Sequence, residues 1–265
     1  MKVVKRVVTA LSTATLVVVG LLHIPVAYVL PAMILLAALV HLEFSQMVAK
    51  KYALLTRLGV VAGVAYMLHR IYGVPCINQF GLLALVFFAF ALRVLFDSRR
   101  ERAIETLAVT TLGFLYIPVM LSYFVLIPKT YGVMALLYVV ALVKFSDMGG
   151  FAIGMLWGRH KMCPSISPNK SWEGLFGSIL AACLMSAFFK CATSYAGAFS
   201  WTRIFAFAFA AAIIGTLGDL VESRMKRECG VKDSATFMPA GLGGFLDMFD
   251  SLIFAPALFF PFLAA

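Results

Sequence analysis

Apolar residues run through this chain in long blocks, at about 7–22, 26–43, 58–72, 79–97, 105–127, 133–156, 175–194, 203–222 and 246–264, with the polar residues gathered between them. A helix of roughly 20 apolar residues crosses the hydrocarbon layer of a bilayer, and inside that layer every backbone N–H and C=O must find its partner within the helix. Most of the blocks have this length, and the third is short. The pattern therefore predicts an all-α fold: a polytopic integral membrane protein with about nine transmembrane helices.

Composition agrees with the pattern. The chain is 63 % hydrophobic and 13 % charged, whereas a soluble domain is nearer half apolar and a quarter charged. The first block, behind Lys2, Lys5 and Arg6, has the basic flank and apolar run of a signal peptide. It lacks a small-x-small cleavage site and more apolar blocks follow at once, so it reads as the first span. Five cysteines, odd in number, scattered and without a C-x-x-C pair, give no zinc site or disulfide framework.

The charges are distributed unevenly. Alternate connections carry Lys2, Lys5 and Arg6; Lys50, Lys51 and Arg57; Arg99, Arg100 and Arg102; Arg159, Lys161 and Lys170; and Arg224, Lys226, Arg227 and Lys232, which is 16 of the 22 basic residues. The connections between these carry only Lys129 and Arg203. Cations retained on the cytoplasmic side give this asymmetry. It puts the N-terminus in the cytoplasm and the C-terminus outside, in a cell membrane of the bacterial inner-membrane type. The net charge of +10 is then a membrane-topology signal, and no nucleic acid is expected as a partner.

The chain also divides by chemistry. Residues 1–130 are apolar with basic loops and read as a scaffold, while residues 131–265 hold the long polar loops and the unusual residues. In "GDLVESRMKRECGVKD", Asp219, Ser223, Lys226 and Arg227 recur at helical spacing and share a face. Snorkelling cations at a helix end account for Lys226 and Arg227, but not for Asp219 inside an apolar block. In "GGFLDMFDS", Asp247 and Asp250 stand three apart, on one side of a helix start. One acidic residue would serve to cap the helix; two, beside Asp219, point to a divalent cation. Asp147 is a further intramembrane carboxylate, with Lys144 as the alternative partner. Gly150, Gly154 and Gly158 follow it at four-residue spacing and make a face for close helix packing. The loop "GRHKMCPSISPNKSWEG" offers Arg159, Lys161, Lys170, Ser167 and Ser171, a set suited to phosphate oxygens. Together, carboxylates for a hard cation such as Mg2+ and cations for phosphates suit in-line attack on a nucleotide phosphorus. No G-x-x-x-x-G-K-[ST] loop of a P-loop ATPase is present.

These residues resemble a family. The chain is similar to phosphatidate cytidylyltransferases, the CDP-diacylglycerol synthases, whose pattern S-x-x-K-R-x4-K-D-x-[GSA], then a glycine pair and D-x-x-D, reads here as Ser223, Lys226, Arg227, Lys232, Asp233 and Ala235, then Gly243, Gly244, Asp247 and Asp250. "SPNKSWEG" resembles the family's S-P-x-K-[ST]-x-E-G, through Ser167, Pro168, Lys170, Ser171, Glu173 and Gly174, and "SDMGGF" its D-[ST]-G-A-[YF] element, through Asp147 and Gly149. The likeness lies in the C-terminal half. Two departures stand out: "PAGLGG" lacks the histidine of the usual P-G-H-G-G, and Met248 stands where D-R-x-D has arginine, so neither role is carried over.

The resemblance implies a reaction, in which a phosphatidate oxygen attacks the α-phosphorus of CTP to give CDP-diacylglycerol and pyrophosphate. It implies Asp147, Asp219, Asp247 and Asp250 as ligands of Mg2+, with a second cation, monovalent or divalent, left open. Lys226, Arg227, Lys232 and Asp233 would be catalytic. Ser167, Lys170, Ser171, Glu173, Ser223, Gly243 and Gly244 would bind substrate. The site would face the cytoplasm, the partners would be CTP, phosphatidate and membrane lipid, and the working unit would be a homodimer. The alternatives are a CTP-dependent lipid kinase, a cytidylyltransferase for another lipid phosphate, and, in a different class, an ion-coupled transporter that uses the same aspartates.

Overall fold

The structure, a computed structural model, describes residues 26–73, 77–96, 102–234 and 244–263. The block at 7–22 and Gly243 lie outside them. Helices α1 (Val26–Val48), α2 (Thr56–Tyr72) and α3 (Gln79–Leu95) follow the second to fourth apolar blocks. The fifth block forms α4 (Ala103–Phe114), a π-helical segment (Leu115–Val119) and α5 (Tyr123–Tyr131). The π segment contains Pro118, which has no N–H to offer the preceding turn; widening the helix there accommodates it without a break. Blocks six to eight are α6 (Val133–Trp157), α7 (Trp172–Ala192) and α8 (Trp201–Glu228). Among the described residues five helices are long and apolar enough to cross a membrane: α1, the α4–α5 continuation, α6, α7 and α8. The chain is a polytopic membrane protein.

At 246–264 the structure departs from the expected pattern. That block is not one membrane-length helix but two short ones, α9 (Phe245–Phe249) and α10 (Ala255–Phe259), followed by a 3-10 turn at Phe260–Phe262. Pro256 and Pro261 each remove an N–H from the ladder at the start of a piece. The broken segment packs back into the bundle, where Leu246, Ile253 and Ala255 are fully buried. The loop after α6 also gains structure: strands β1 (Lys161–Cys163) and β2 (Ser167–Ser171) pair antiparallel as a hairpin.

The main core joins Phe44 of α1, Ile117 of the π segment, Leu142 of α6, Ile204 of α8 and Ile253, all fully buried. On the outside of α7, Phe176, Leu180, Leu184 and Phe188 make an exposed stripe with four-residue spacing, as expected of a face that meets lipid rather than water. The packing of α6 against α7 is the most extensive in the bundle, and it has a steric cause. A Cβ on Gly149 would lie 2.5 Å from the carbonyl oxygen of Gly177, and one on Gly177 would lie 2.6 Å from the carbonyl oxygen of Gly149. Gly154 also faces Gly174, at the ordinary contact distance of 3.5 Å from the Cα of Gly174 to where a Cβ on Gly154 would be. The four-residue glycine face thus has a partner helix with small residues of its own.

The basic connections meet at one end of the bundle. Glu105 accepts the backbone N–H of Ala53 (2.8 Å), Lys51 pairs with Glu228 (3.6 Å), Tyr52 donates to the same Glu228, and Arg227 reaches the carbonyl of Ile166 on the hairpin (3.5 Å). Lys129, Lys190 and Arg203 instead donate to backbone carbonyls of Ile71, Phe199 and Phe262 in the other set of connections.

Because the α6–α7 seam is backbone against backbone, Gly177→Val is expected to destabilise the fold by about 1–3 kcal/mol, the usual cost of overpacking. Gly197→Ala, whose new Cβ would meet only the carbonyl of Lys190 at 3.5 Å, should leave stability unchanged. Unfolding temperatures of the two variants in detergent check the contrast; equal values would mean that the seam has slack.

Candidate active site

The site forms where the polar end of α8 meets α9, α6 and the hairpin. The polar end of α8 closes with Gly230 at φ 70°. The N–H of Val231 bonds the carbonyl of Lys226 (3.0 Å) and that of Gly230 bonds the carbonyl of Arg227 (3.1 Å), the glycine-terminated pattern that satisfies the last carbonyls of a helix. The chain therefore turns sharply after α8, which leaves Lys232 and Asp233 exposed on the following segment.

Three carboxylates converge. Asp219 and Glu222 on α8 and Asp250 just beyond α9 each place an oxygen within 4.8 Å of the others. Two like charges at such range repel strongly unless cations share the space. Two lysines do so in part: Lys170 of β2 pairs with Asp219 (2.7 Å) and donates to the carbonyl of Thr216 (2.8 Å), and Lys226 pairs with Glu222 (2.5 Å). Ser223 adds a hydrogen bond to Asp219 (3.2 Å). Oxygen-only donors of net negative charge are what a hard divalent cation requires, so the group fits Mg2+ on its chemistry.

Asp247 has other neighbours than the expected ligand set. Its Oδ1 takes a hydrogen bond from Lys226 (2.8 Å), and its Oδ2 takes the backbone N–H groups of Gly244 (2.7 Å) and Ser234 (3.2 Å). It caps α9 and neutralises Lys226. Lys226, in turn, is buried between two carboxylates rather than presented to a phosphate. Glu222, on the same face as Asp219 and Lys226, takes the place in the carboxylate group that the sequence reading gives to Asp247. The signal for it lay in the helical spacing of 219, 222 and 226.

Asp147 sits one step from the group. Its Oδ2 accepts from Ser251 (2.7 Å), and Lys144 lies 3.8 Å from the same oxygen. On the hairpin, Ser171 is buried and its hydroxyl caps α7 by accepting the N–H of Gly174 (3.1 Å). Glu173 holds the start of the hairpin, accepting from the backbone N–H of His160 (3.2 Å) with the imidazole Nδ1 at 2.6 Å. Ser167 lies in β2, opposite Cys163. Both residues that look like substrate groups in the motif thus also shape the loop that carries Lys170.

The N-terminal half touches the segment that carries Asp250 through a buried side chain. Glu43 of α1 is fully buried, and its Oε2 accepts the backbone N–H of Leu246 at 3.0 Å, in the first turn of α9. Nothing in the sequence around Glu43 connects it with a segment so far downstream. Tyr116, in the π segment, is also buried, and its ring packs at a tilt against that of Phe254, with the centroids 5.6 Å apart.

With this geometry in hand, comparison with known proteins places the chain. The profile of a group described as "Cytidylyltransferase family" matches residues 4–265. The chain belongs to this family. Among curated relatives, the phosphatidate cytidylyltransferase of Mycobacterium leprae is 43 % identical over 111 residues, 42 % of this chain and 34 % of that protein. That of Haemophilus influenzae is 40 % identical over 131 residues, 49 % of this chain and 45 % of that protein. That of Staphylococcus epidermidis is 34 % identical over 181 residues, 68 % of this chain and 67 % of that protein. The match therefore spans less than half the length of the first two of these cytidylyltransferases.

Removing Lys226 should be costly, because it would leave two buried carboxylates facing each other. Lys226→Met is expected to cost about 3–5 kcal/mol, whereas Lys226→Met combined with Glu222→Gln and Asp247→Asn should recover a large part of it. Thermal unfolding in detergent reads the difference, and a triple variant no more stable than the single one would remove the pairing argument.

Proposed function

We propose that this chain is a phosphatidate cytidylyltransferase, which transfers CMP from CTP to phosphatidate. The observation that carries this reading is the convergence of Asp219, Glu222 and Asp250 beside Lys170, within a chain of the cytidylyltransferase family. A non-bridging oxygen of the lipid phosphate attacks the α-phosphorus of CTP. The bond from that phosphorus to the oxygen bridging the β-phosphate breaks, and pyrophosphate leaves with the electron pair. The attacking oxygen is already anionic near neutral pH, so no general base is needed.

The protein's task is positioning and charge neutralisation. Asp219, Glu222 and Asp250 would hold Mg2+, with Asp147 beside them through Ser251, and the ion supplies charge neutralisation on the triphosphate. Lys170, on a hairpin fixed by Ser171 and Glu173, is aimed at Asp219 and reaches the same oxygens. Arg227, in the last turn of α8, and Lys232, just after it, are exposed and take the outer phosphates. Lys226 and Asp247 position α9, and with it Asp250. The site lies on the cytoplasmic face, since its hairpin and α8 end share an end of the bundle with the basic connections. By resemblance the working unit is a homodimer.

The bond that breaks separates this reaction from a kinase. Label from α-labelled CTP should enter lipid only with phosphatidate present, label from γ-labelled CTP should appear as pyrophosphate, and chelator should stop both. Asp250→Asn should abolish incorporation while the protein stays folded in the membrane. Lipid labelled from the γ position, and not from the α, would overturn the assignment in favour of a CTP-dependent kinase.

Orientation has its own test. Cys163, on the hairpin, and Cys229, at the end of α8, should react with an impermeant thiol reagent only in inverted vesicles. Burial pushes the Cys229 thiol up from its ordinary range, so its labelling should be slow at neutral pH and quicken as the pH rises. Modification of Cys163 in intact cells would reverse the orientation.

A further inference from the structure

Lys144 is a lysine inside the membrane-length helix α6, at the edge of the carboxylate group. Its ammonium donates to the backbone carbonyl of Met248 (2.9 Å) and to the hydroxyl of Ser251 (3.3 Å). Its nearest carboxylate oxygen, on Asp147, lies at 3.8 Å, beyond hydrogen-bonding length, and that oxygen already accepts from Ser251 at 2.7 Å. An ammonium has three donors. Two are engaged among the described residues, and the third has only the distant Asp147 oxygen.

The other lysines of the site are differently placed. Lys226 has two carboxylates within 2.8 Å and a side chain 10 % exposed, and Lys170 has one at 2.7 Å and is 19 % exposed. Lys144 is the most open of the three, 36 % exposed, and the least compensated. A charge inside an apolar helix is expensive when it serves only as half of a loose pair. The two groups it does bond, Met248 and Ser251, lie on either side of Asp250 in sequence, so the ammonium is held against the segment that carries this carboxylate. Position 248 itself is a methionine and brings no charge.

We propose that Lys144 is a phosphate-binding residue of this site, donating its third N–H to an oxygen of the nucleotide or lipid phosphate bound next to Asp250. The proposal rests on the cytidylyltransferase reading and adds to it a cation that comes from α6 rather than from the hairpin.

The test compares the wild-type protein with Lys144→Met, which keeps the length and loses the charge, and Lys144→Arg, which keeps the charge. Losing a charge-assisted hydrogen bond to phosphate should raise one KM roughly ten- to a hundredfold, with a smaller change in kcat, and arginine should restore most of it. A rise in the KM for CTP, matched by weaker direct binding of CTP to the detergent-solubilised protein, assigns the contact to the nucleotide. A rise in the KM for phosphatidate with CTP binding unchanged assigns it to the lipid. Both support the proposal. If Lys144→Met leaves both KM values and CTP binding within a factor of two of wild type, or if its losses only follow a lowered unfolding temperature, Lys144 serves the Asp147 pair and the proposal falls while the enzymatic reading stands. Failure of the wild-type protein to label lipid from α-labelled CTP would instead overturn the enzymatic reading and this inference with it.

Discussion

An ammonium group held between two carboxylates, Lys226 with Glu222 and Asp247, organises the functional end of this molecule. A lone charge in that position would be untenable, because transfer from water into an apolar interior costs several kcal/mol per ion even after relaxation. Each member is tolerated only because the others are there. Glu222 belongs to α8 and Asp247 to α9, so the lysine fixes the distance between the two elements. That distance decides whether Asp219 and Asp250 can approach one another. Burial, pairing and convergence of the carboxylates are consequences of one arrangement.

Close approach elsewhere serves the same end. The glycine seam between α6 and α7 brings the backbones of these helices together, and the hairpin that joins them is short and braced at both sides: Ser171 caps α7, and Glu173 grips His160. A hairpin so braced delivers Lys170 to Asp219 from a fixed direction. The candidate site residues thus sit on loops and helix ends whose positions are set by rigid packing behind them.

Much of this was legible in the order of residues because membrane physics leaves few choices. Apolar blocks of spanning length must be helices, and glycines at four-residue spacing favour a close partner; α6, α7 and α8 follow the first rule, and α6 follows the second as well. Asp219 and Asp250 stood out as acids within or beside apolar blocks, and the structure brings them together. What periodicity could not show was pairing in three dimensions. Asp247 looks the same as Asp250 in a D-x-x-D pattern, yet the N–H groups of Gly244 and Ser234 and the Lys226 ammonium claim its oxygens. Glu222 stands near the end of an apolar block in sequence, and only the fold shows that it is buried beside Asp219 and Asp250. Hydropathy also averaged over Pro256 and Pro261, and so ran a single helix through a segment that the missing N–H groups divide.

The bond from Leu246 to Glu43 spans 203 residues of sequence. Chains are made and inserted from the N-terminal side, so Glu43 enters the membrane long before its partner exists. Its carboxylate must be held until α9 arrives and supplies an N–H. Docking of α9 then does two things at once: it satisfies an acceptor waiting in the first described helix and brings Asp250 up to Asp219. The group of three carboxylates is therefore assembled by one of the last contacts to form. A partly inserted chain has no complete cluster, and Asp219, Glu222 and Asp250 meet only in a finished bundle.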